Sequence, residues 1–163
     1  MIRVAILTIS DSAVAGTRED LSGPALKTRC AELGWPVAQL DVVADEETAI
    51  SERLRTWADQ AIANLILTTG GTGVSPRDVT PEATRAVLDR EIPGIAELMR
   101  AKGLEQTKFS VLSRALAGNR KQTLIVNLPG SPKGALYSLG LIESLIPHLI
   151  DLLAGRTEHC ANK

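Results

Sequence analysis

The stretch LILTTGGTGVSPRDVTPEAT, Leu65 to Thr84, decides how this chain is read. Leu65 to Thr68 is a short apolar run with the length and composition of a buried strand. It ends at two threonines and becomes a loop with three glycines, Gly70, Gly71 and Gly73, in four residues. The loop passes Arg77-Asp78 and meets Thr80-Pro81-Glu82, which reads as a cap, a first-turn proline and a first-turn acid. A strand that runs through glycines straight into a helix is the repeating unit of a parallel α/β sheet.

The same unit recurs on both sides. Val4 to Ile9 is an apolar run ending in Ser10-Asp11-Ser12. After VAGTREDLSG a helix is expected near Pro24, with Ser22 as its cap, Leu26, Cys30 and Leu33 at helical spacing, and Gly34 closing it. Val37 to Val43 is a second strand, ending at Ala44-Asp45-Glu46, and a helix follows with Ile50, Leu54, Trp57 and Ala61 on one face. Ile92 to Gln106 reads as helical, broken at Pro93-Gly94, while Phe109 to Arg120 shows no clear pattern. Thr123 to Leu128 is another strand, followed by Pro129-Gly130-Ser131-Pro132 and a helical stretch from Lys133, with a kink expected at Pro147. Residues 1–155 read as one domain and 156–163 as a loose tail.

Strands separated by helices imply right-handed crossovers and a three-layer, Rossmann-like α/β/α domain with a mostly parallel sheet. Ligands of such sheets bind outside the carboxyl ends of the strands. That places Ser10, Asp11 and Ser12, Asp45 with Glu46, the Thr69–Asp78 loop and the Pro129–Pro132 loop along one edge.

Composition narrows the class. At 163 residues there is room for one domain with a good core. Apolar residues are 44% of the chain but aromatics only 2%, so the core is built from Ile, Leu, Val and Ala. A net charge of −1 offers no basic field for nucleic acid. Cys30 and Cys160 fit no metal spacing and read as free thiols of a reducing compartment. The opening MIRVAILTISDS turns polar too soon for a signal peptide, and no segment approaches the roughly 20 apolar residues of a membrane helix. A cytoplasmic protein is the expectation.

The glycine loop matches neither named phosphate motif. It has no lysine for a P-loop, and Pro76 stands where the dinucleotide fingerprint needs its third glycine. Its physics remains: glycines let amides turn toward an anion, and Thr68, Thr69, Thr72 and Ser75 offer hydroxyls. A tight turn requiring positive φ is the other reading. Asp78 reads either as a Mg²⁺ ligand, since a carboxylate beside a phosphate needs a cation between them, or as a cap or ion-pair partner of Arg77. Asp45 reads as a second metal ligand or as a helix cap. Arg114, Arg120 and Lys121 are either a polyanion patch or a solvated basic loop. Asn127 and the loop after it form either a stiff turn or a second subsite.

Taken together, TISDS, LSGP, TTGGTGVSPRDVTPEAT, PGIAELMR, LSR and LIVNLPGSP in this order resemble the molybdopterin adenylyltransferase family of molybdenum cofactor biosynthesis, the Mog and MoaB type. The resemblance runs from about Arg3 to Leu153. It implies an enzyme that adenylylates molybdopterin with Mg-ATP and releases pyrophosphate, a homotrimer or a hexamer made of two trimers, and a molybdenum-insertion protein downstream. Asp78 and Asp45 match the family's two functional aspartates. Ser10, Asp11, Ser12, Thr69, Gly70, Gly71, Thr72, Gly73, Ser75 and Arg77, with Ser113, Asn127, Pro129, Gly130, Ser131 and Pro132, fall in its substrate- and nucleotide-binding region. The chain has Ala44 where family members often carry proline. A non-catalytic carrier or scaffold of the same fold and a nucleotide hydrolase are the alternatives.

Overall fold

The computed structural model describes residues 1–156. Strand β1 (Val4–Ile9) is buried along its whole length, which is why VAILTI shows no polar alternation. It lies parallel to β2 (Val37–Val43) on one side and to β3 (Leu65–Thr69) on the other. β3 in turn pairs in parallel with β6 (Thr123–Leu128). Two short strands, β4 (Arg90–Glu91) and β5 (Ala117–Arg120), extend the sheet antiparallel and complete the order β2-β1-β3-β6-β5-β4.

Alternate side chains of the buried strands feed two cores. Ile6, Leu65, Leu67, Leu124 and Val126 face α2 (Ser22–Glu32), α5 (Pro93–Gly103), α6 (Pro132–Ile142) and α7 (Ile146–Leu153). Ala5, Leu7, Ile66 and Ile125 face α3 (Glu47–Asp59) and α4 (Thr80–Arg85). The three layers and the parallel centre agree with the sequence reading. Each fully buried Leu or Ile contributes about 1.5–3 kcal/mol of transfer free energy. The sheet's centre is therefore the rigid base on which the strand-end loops stand.

The local differences have identifiable causes. Phe109 to Arg120 forms a 3-10 helix (Lys108–Leu112) and then β5, whose Gly118 lets the β4 backbone approach so closely that a Cβ would sit 2.3 Å from the Arg90 carbonyl. α2 begins at Ser22, so that residue is not its cap; the cap position is Leu21, and Asp20 just before it accepts the Gly23 N–H at 3.0 Å. α3 ends before Ala61, which is exposed at φ 51°; Ala58 takes its place on the buried face. α5 begins at Pro93 instead of breaking there. The last helical stretch is two helices bent by 66° at residues 143–145, and Pro147 sits in the first turn of α7, where no donor is needed. No single helix among the described residues is long and apolar enough to cross a membrane. Cys30 is buried, and burial pushes its thiol up to about 11. Cys160 and nearly all of the expected tail lie outside the described residues, save Arg156, which pairs with Asp151 at 2.6 Å.

Candidate active site

The carboxyl ends of β1, β2, β3 and β6 open onto one crevice. Its inner part is a cavity of about 410 Å³ bordered by Ser10, Asp45, Thr69, Gly70, Gly71, Asp78, Gly130, Ser131 and Pro132. An adjoining cavity of about 490 Å³ is lined by Thr72, Gly73, Val74, Ser113, Pro129 and Ser131, and by the chain's single Phe and single Tyr, Phe109 and Tyr137. The glycine loop lies between the two cavities, and Ser131 borders both.

Two glycines are required by geometry. Gly70 has φ 105°, and a Cβ on it would lie 2.2 Å from the Ile9 carbonyl. Gly71 has φ 65°, and a Cβ would lie 2.3 Å from Thr80 Oγ1 and 3.1 Å from Asp45 Oδ1. These are positions only glycine fills without strain. Gly73, in contrast, is not in the left-handed region; a Cβ there would crowd Asp78 Oδ2 at 2.8 Å.

The loop's carbonyls are turned into the protein. Thr80 donates its hydroxyl to Gly70 O at 2.8 Å and its N–H to Gly71 O at 3.1 Å. Arg114 donates its N–H to Thr72 O at 2.8 Å, Nε–H to Gly73 O at 2.7 Å and an Nη2 hydrogen to Asp78 O at 2.6 Å. Its remaining nitrogen, Nη1, pairs with Glu82. Burial alone would raise the Glu82 carboxyl, but Arg114, the residue's own N–H and Arg85 together outweigh it and the net is lowered. The amides of Gly71, Thr72, Gly73 and Val74 donate to no other described residue. Four polar donors at a cavity wall are a ready anion site. α4 has only six residues, so its macrodipole adds little.

The two aspartates flank this loop. Asp78 does not pair with Arg77: its Oδ2 accepts the Ser75 N–H at 2.8 Å, closing the turn. Arg77 instead grips Asp11 with Nε and Nη2, both at 3.0 Å, and reaches Glu46 at 2.9 Å. That bond, with the Asp45 N–H, holds the Asp11 carboxyl below its usual range. Asp11 and Asp45 exchange bonds: Asp11 N–H donates to Asp45 Oδ2 at 2.8 Å and Asp45 N–H to Asp11 Oδ1 at 2.9 Å. Burial pushes the Asp45 carboxyl up; the Asp11 N–H opposes this, and the charges of Asp11 and Asp78 reinforce it. An acid at a cavity wall whose charge is disfavoured by burial and by neighbouring carboxylates is suited to a cation. Among the described residues no cluster of three acids, histidines or cysteines can chelate one unaided. Asp45 and Asp78 fit Mg²⁺, which takes one or two carboxylates and completes its shell with water and phosphate oxygens.

Several residues expected to touch a ligand also have partners in the framework. Asn127 is fully buried, its amide donating at 2.9 Å to both Thr68 and Thr84, and its oxygen accepting the Leu116 N–H. Thr69 lines the inner cavity and ties it to the next loop through its hydroxyl bond to Pro129 O at 2.7 Å. Ser10 caps α1 (Asp11–Val14) by accepting the Ala13 N–H and meets the Ser12 hydroxyl at 3.1 Å. Ser75 and Arg77 are exposed and border neither cavity. Arg120 and Lys121 are bound to Asp59, each at 2.7 Å, away from the crevice, which removes the polyanion patch. The sequence reading took Thr80 as a helix cap and weighed Arg114 only as part of a basic patch; that both act on loop carbonyls has no signal in the sequence, because their targets are main-chain atoms.

Comparison with known proteins places this geometry. Residues 5–148 match the family model described as "Probable molybdopterin binding domain". The chain is 40% identical over 156 residues to molybdopterin adenylyltransferase of Helicobacter pylori J99, covering 94% of this chain and 89% of that one. It is also 40% identical over 153 residues to the molybdenum cofactor synthesis protein cinnamon of Drosophila melanogaster, of which it spans only 26%. The solved structure of the molybdopterin biosynthesis enzyme MoaB from Thermus thermophilus superposes with a TM-score of 0.89 at 51% identity, covering 95% of this chain and 98% of that one. With the family model covering most of its length and a solved member superposing over nearly all of it, the chain belongs to the molybdopterin-binding domain family of the Mog and MoaB type.

Proposed function

We propose that this protein is a molybdopterin adenylyltransferase: the terminal phosphate of molybdopterin takes the adenylyl group of ATP, and pyrophosphate leaves. The observation that carries the reading is the pairing of Asp45 and Asp78 with a loop that lines the two cavities, whose carbonyls are bonded inward and whose Gly71 to Val74 amides donate to no other described residue.

A phosphate oxygen of molybdopterin forms a bond to the α-phosphorus of ATP as the bond to the pyrophosphate oxygen breaks. The protein has little covalent work to do, so alignment and charge neutralisation dominate. The amides of Gly71 to Val74 hold phosphate oxygens, and the two adjoining cavities hold the two substrates with their phosphates meeting at the loop. Asp45 and Asp78 are the residues that would hold Mg²⁺, whose charge offsets that of the phosphates. Arg77, with Asp11 and Glu46, braces the turn that carries Asp45. The reading extends to a cytoplasmic homotrimer or hexamer that passes its product to a molybdenum-insertion protein.

Incubation of the purified protein with molybdopterin, ATP and Mg²⁺ tests this. Adenylyl-molybdopterin and pyrophosphate should appear in equal amounts. Pyrophosphate released without the pterin acceptor would mark a hydrolase, and binding without turnover a carrier.

A further inference from the structure

A trans peptide is planar, so its carbonyl and the next residue's N–H point in opposite directions. Fixing the carbonyl of one loop residue therefore fixes the amide of the next. Thr80 Oγ1 on Gly70 O sets the Gly71 N–H, at the inner cavity. Arg114 Nε on Gly73 O sets the Val74 N–H, at the adjoining cavity. The two middle amides are set by main-chain donors of the same two residues, Thr80 N–H on Gly71 O and Arg114 N–H on Thr72 O.

We infer that Thr80 and Arg114 are positioning residues that divide the glycine loop into two independently aimed pairs of amide donors, Gly71 with Thr72 and Gly73 with Val74, Gly71 bordering the inner cavity and the other three residues the adjoining one. This rests on the reading of the loop as a phosphate site. Arg114 is not a free cation awaiting a ligand: Glu82 takes Nη1, and two carbonyls take Nε and Nη2. Its bond to Asp78 O also anchors the backbone behind the metal-side aspartate. The guanidinium fork is needed because one planar group must meet two carbonyls and a carboxylate at once, which a lysine ammonium on a flexible stem does not reproduce. Thr80 is wholly buried, so its hydroxyl has no solvent to turn to, and its bond to Gly70 O is secured by the core.

The test is an amide-resolved NMR titration of the full chain with inorganic pyrophosphate and Mg²⁺. In the wild type the Gly71 amide should report pyrophosphate entering the inner cavity and the Thr72, Gly73 and Val74 amides its entry into the adjoining one, each cavity with its own apparent Kd. In Arg114→Lys the response at Val74 should weaken by about ten-fold in apparent Kd while Gly71 keeps its own, since one aimed donor to a charged oxygen is worth about that factor. Thr80→Val should give the mirror result, lost at Gly71 and kept at Val74. Glu82→Gln, which keeps an acceptor for Nη1, should behave as wild type. Equal weakening at all four amides in Arg114→Lys would mean that the guanidinium binds phosphate directly and would overturn the positioning role. An unchanged profile would overturn it too. Should Arg114→Lys fail to fold, the Thr80→Val profile decides by the same criterion. Silence at all four amides in the wild type would instead remove the loop as a phosphate site, and the proposed function with it.

Discussion

Replacing Gly71 by alanine should destabilise the protein by an amount the geometry sets. The residue sits at φ 65°, where a Cβ costs about 1–2 kcal/mol. The same Cβ would stand 2.3 Å from Thr80 Oγ1, so the hydroxyl must swing away and release Gly70 O. Leaving that buried carbonyl unpartnered costs about 1–3 kcal/mol more. The sum is about 2–5 kcal/mol, which for a domain of this size lowers Tm by roughly 5–15 °C. Gly140→Ala supplies the control: α6 leaves it nothing within 4 Å, and the substitution should add about 1 kcal/mol. Thermal unfolding followed by circular dichroism reads both. A Gly71→Ala protein melting within about 2 °C of the wild type would refute the claim that the left-handed turn and the Thr80 bond hold the loop.

Three further outcomes are expected. Because burial raises the Asp45 carboxyl in the folded state, its stabilising contribution is present at low pH and is lost as pH rises through that raised value. Metal-free Asp45→Asn should therefore melt higher than wild type at neutral pH, the gain vanishing toward about pH 4; a gain that persists in acid would contradict the burial account. Asp59 is held at about 2 by Arg120 and Lys121, so the stability it contributes is present above the ordinary aspartate range and lost as pH falls toward that value. Arg120→Gln should reduce this acid sensitivity, leaving the part due to Lys121, while adenylyl transfer stays unchanged; a clear loss of activity would restore the basic patch to the site. Light scattering at micromolar concentration should give three or six times the chain mass of 17.4 kDa; a monomer would end the trimer reading.

The sequence made the crevice legible because strand endings are marked by a change of residue class. VAILTI meets SDS, VAQLDVV meets ADE, and LILTT meets the glycines; parallel pairing then brings them to one edge. Asp45 and Asp78 border the cavity for that reason. What stayed hidden acts through the main chain or through three-dimensional pairing. Arg114 lies in a segment without periodicity and is bonded to carbonyls 36 and 41 residues away. Asn127 sits at a strand's carboxyl end, where exposure is the natural expectation, yet Thr68 and Thr84 supply its buried partners from β3 and α4. β5 escaped because AGNR has neither the length nor the β-branched residues of a strand, and only its pairing with β6 makes it one. Glycine spacing pointed to a strained loop, but it did not say that the strain falls on Gly70 and Gly71 and spares Gly73.

In the proposed reaction, charge held by Asp78 and Asp45 beside the glycine loop stabilises the transfer of the adenylyl group. The direct measurement is single-turnover formation of adenylyl-molybdopterin at saturating Mg-ATP by Asp78→Asn and Asp45→Asn, with circular dichroism confirming the fold. Asparagine keeps an oxygen for the Ser75 N–H at position 78 and for the Asp11 N–H at position 45, so the turns survive while the charge is removed. Asp78→Asn should lose about 10²–10³ in rate with molybdopterin binding nearly intact, and Asp45→Asn should lose less. A folded Asp78→Asn protein that turns over within about five-fold of wild type would show that the charge needed for transfer is held elsewhere, and the account of this crevice would fail.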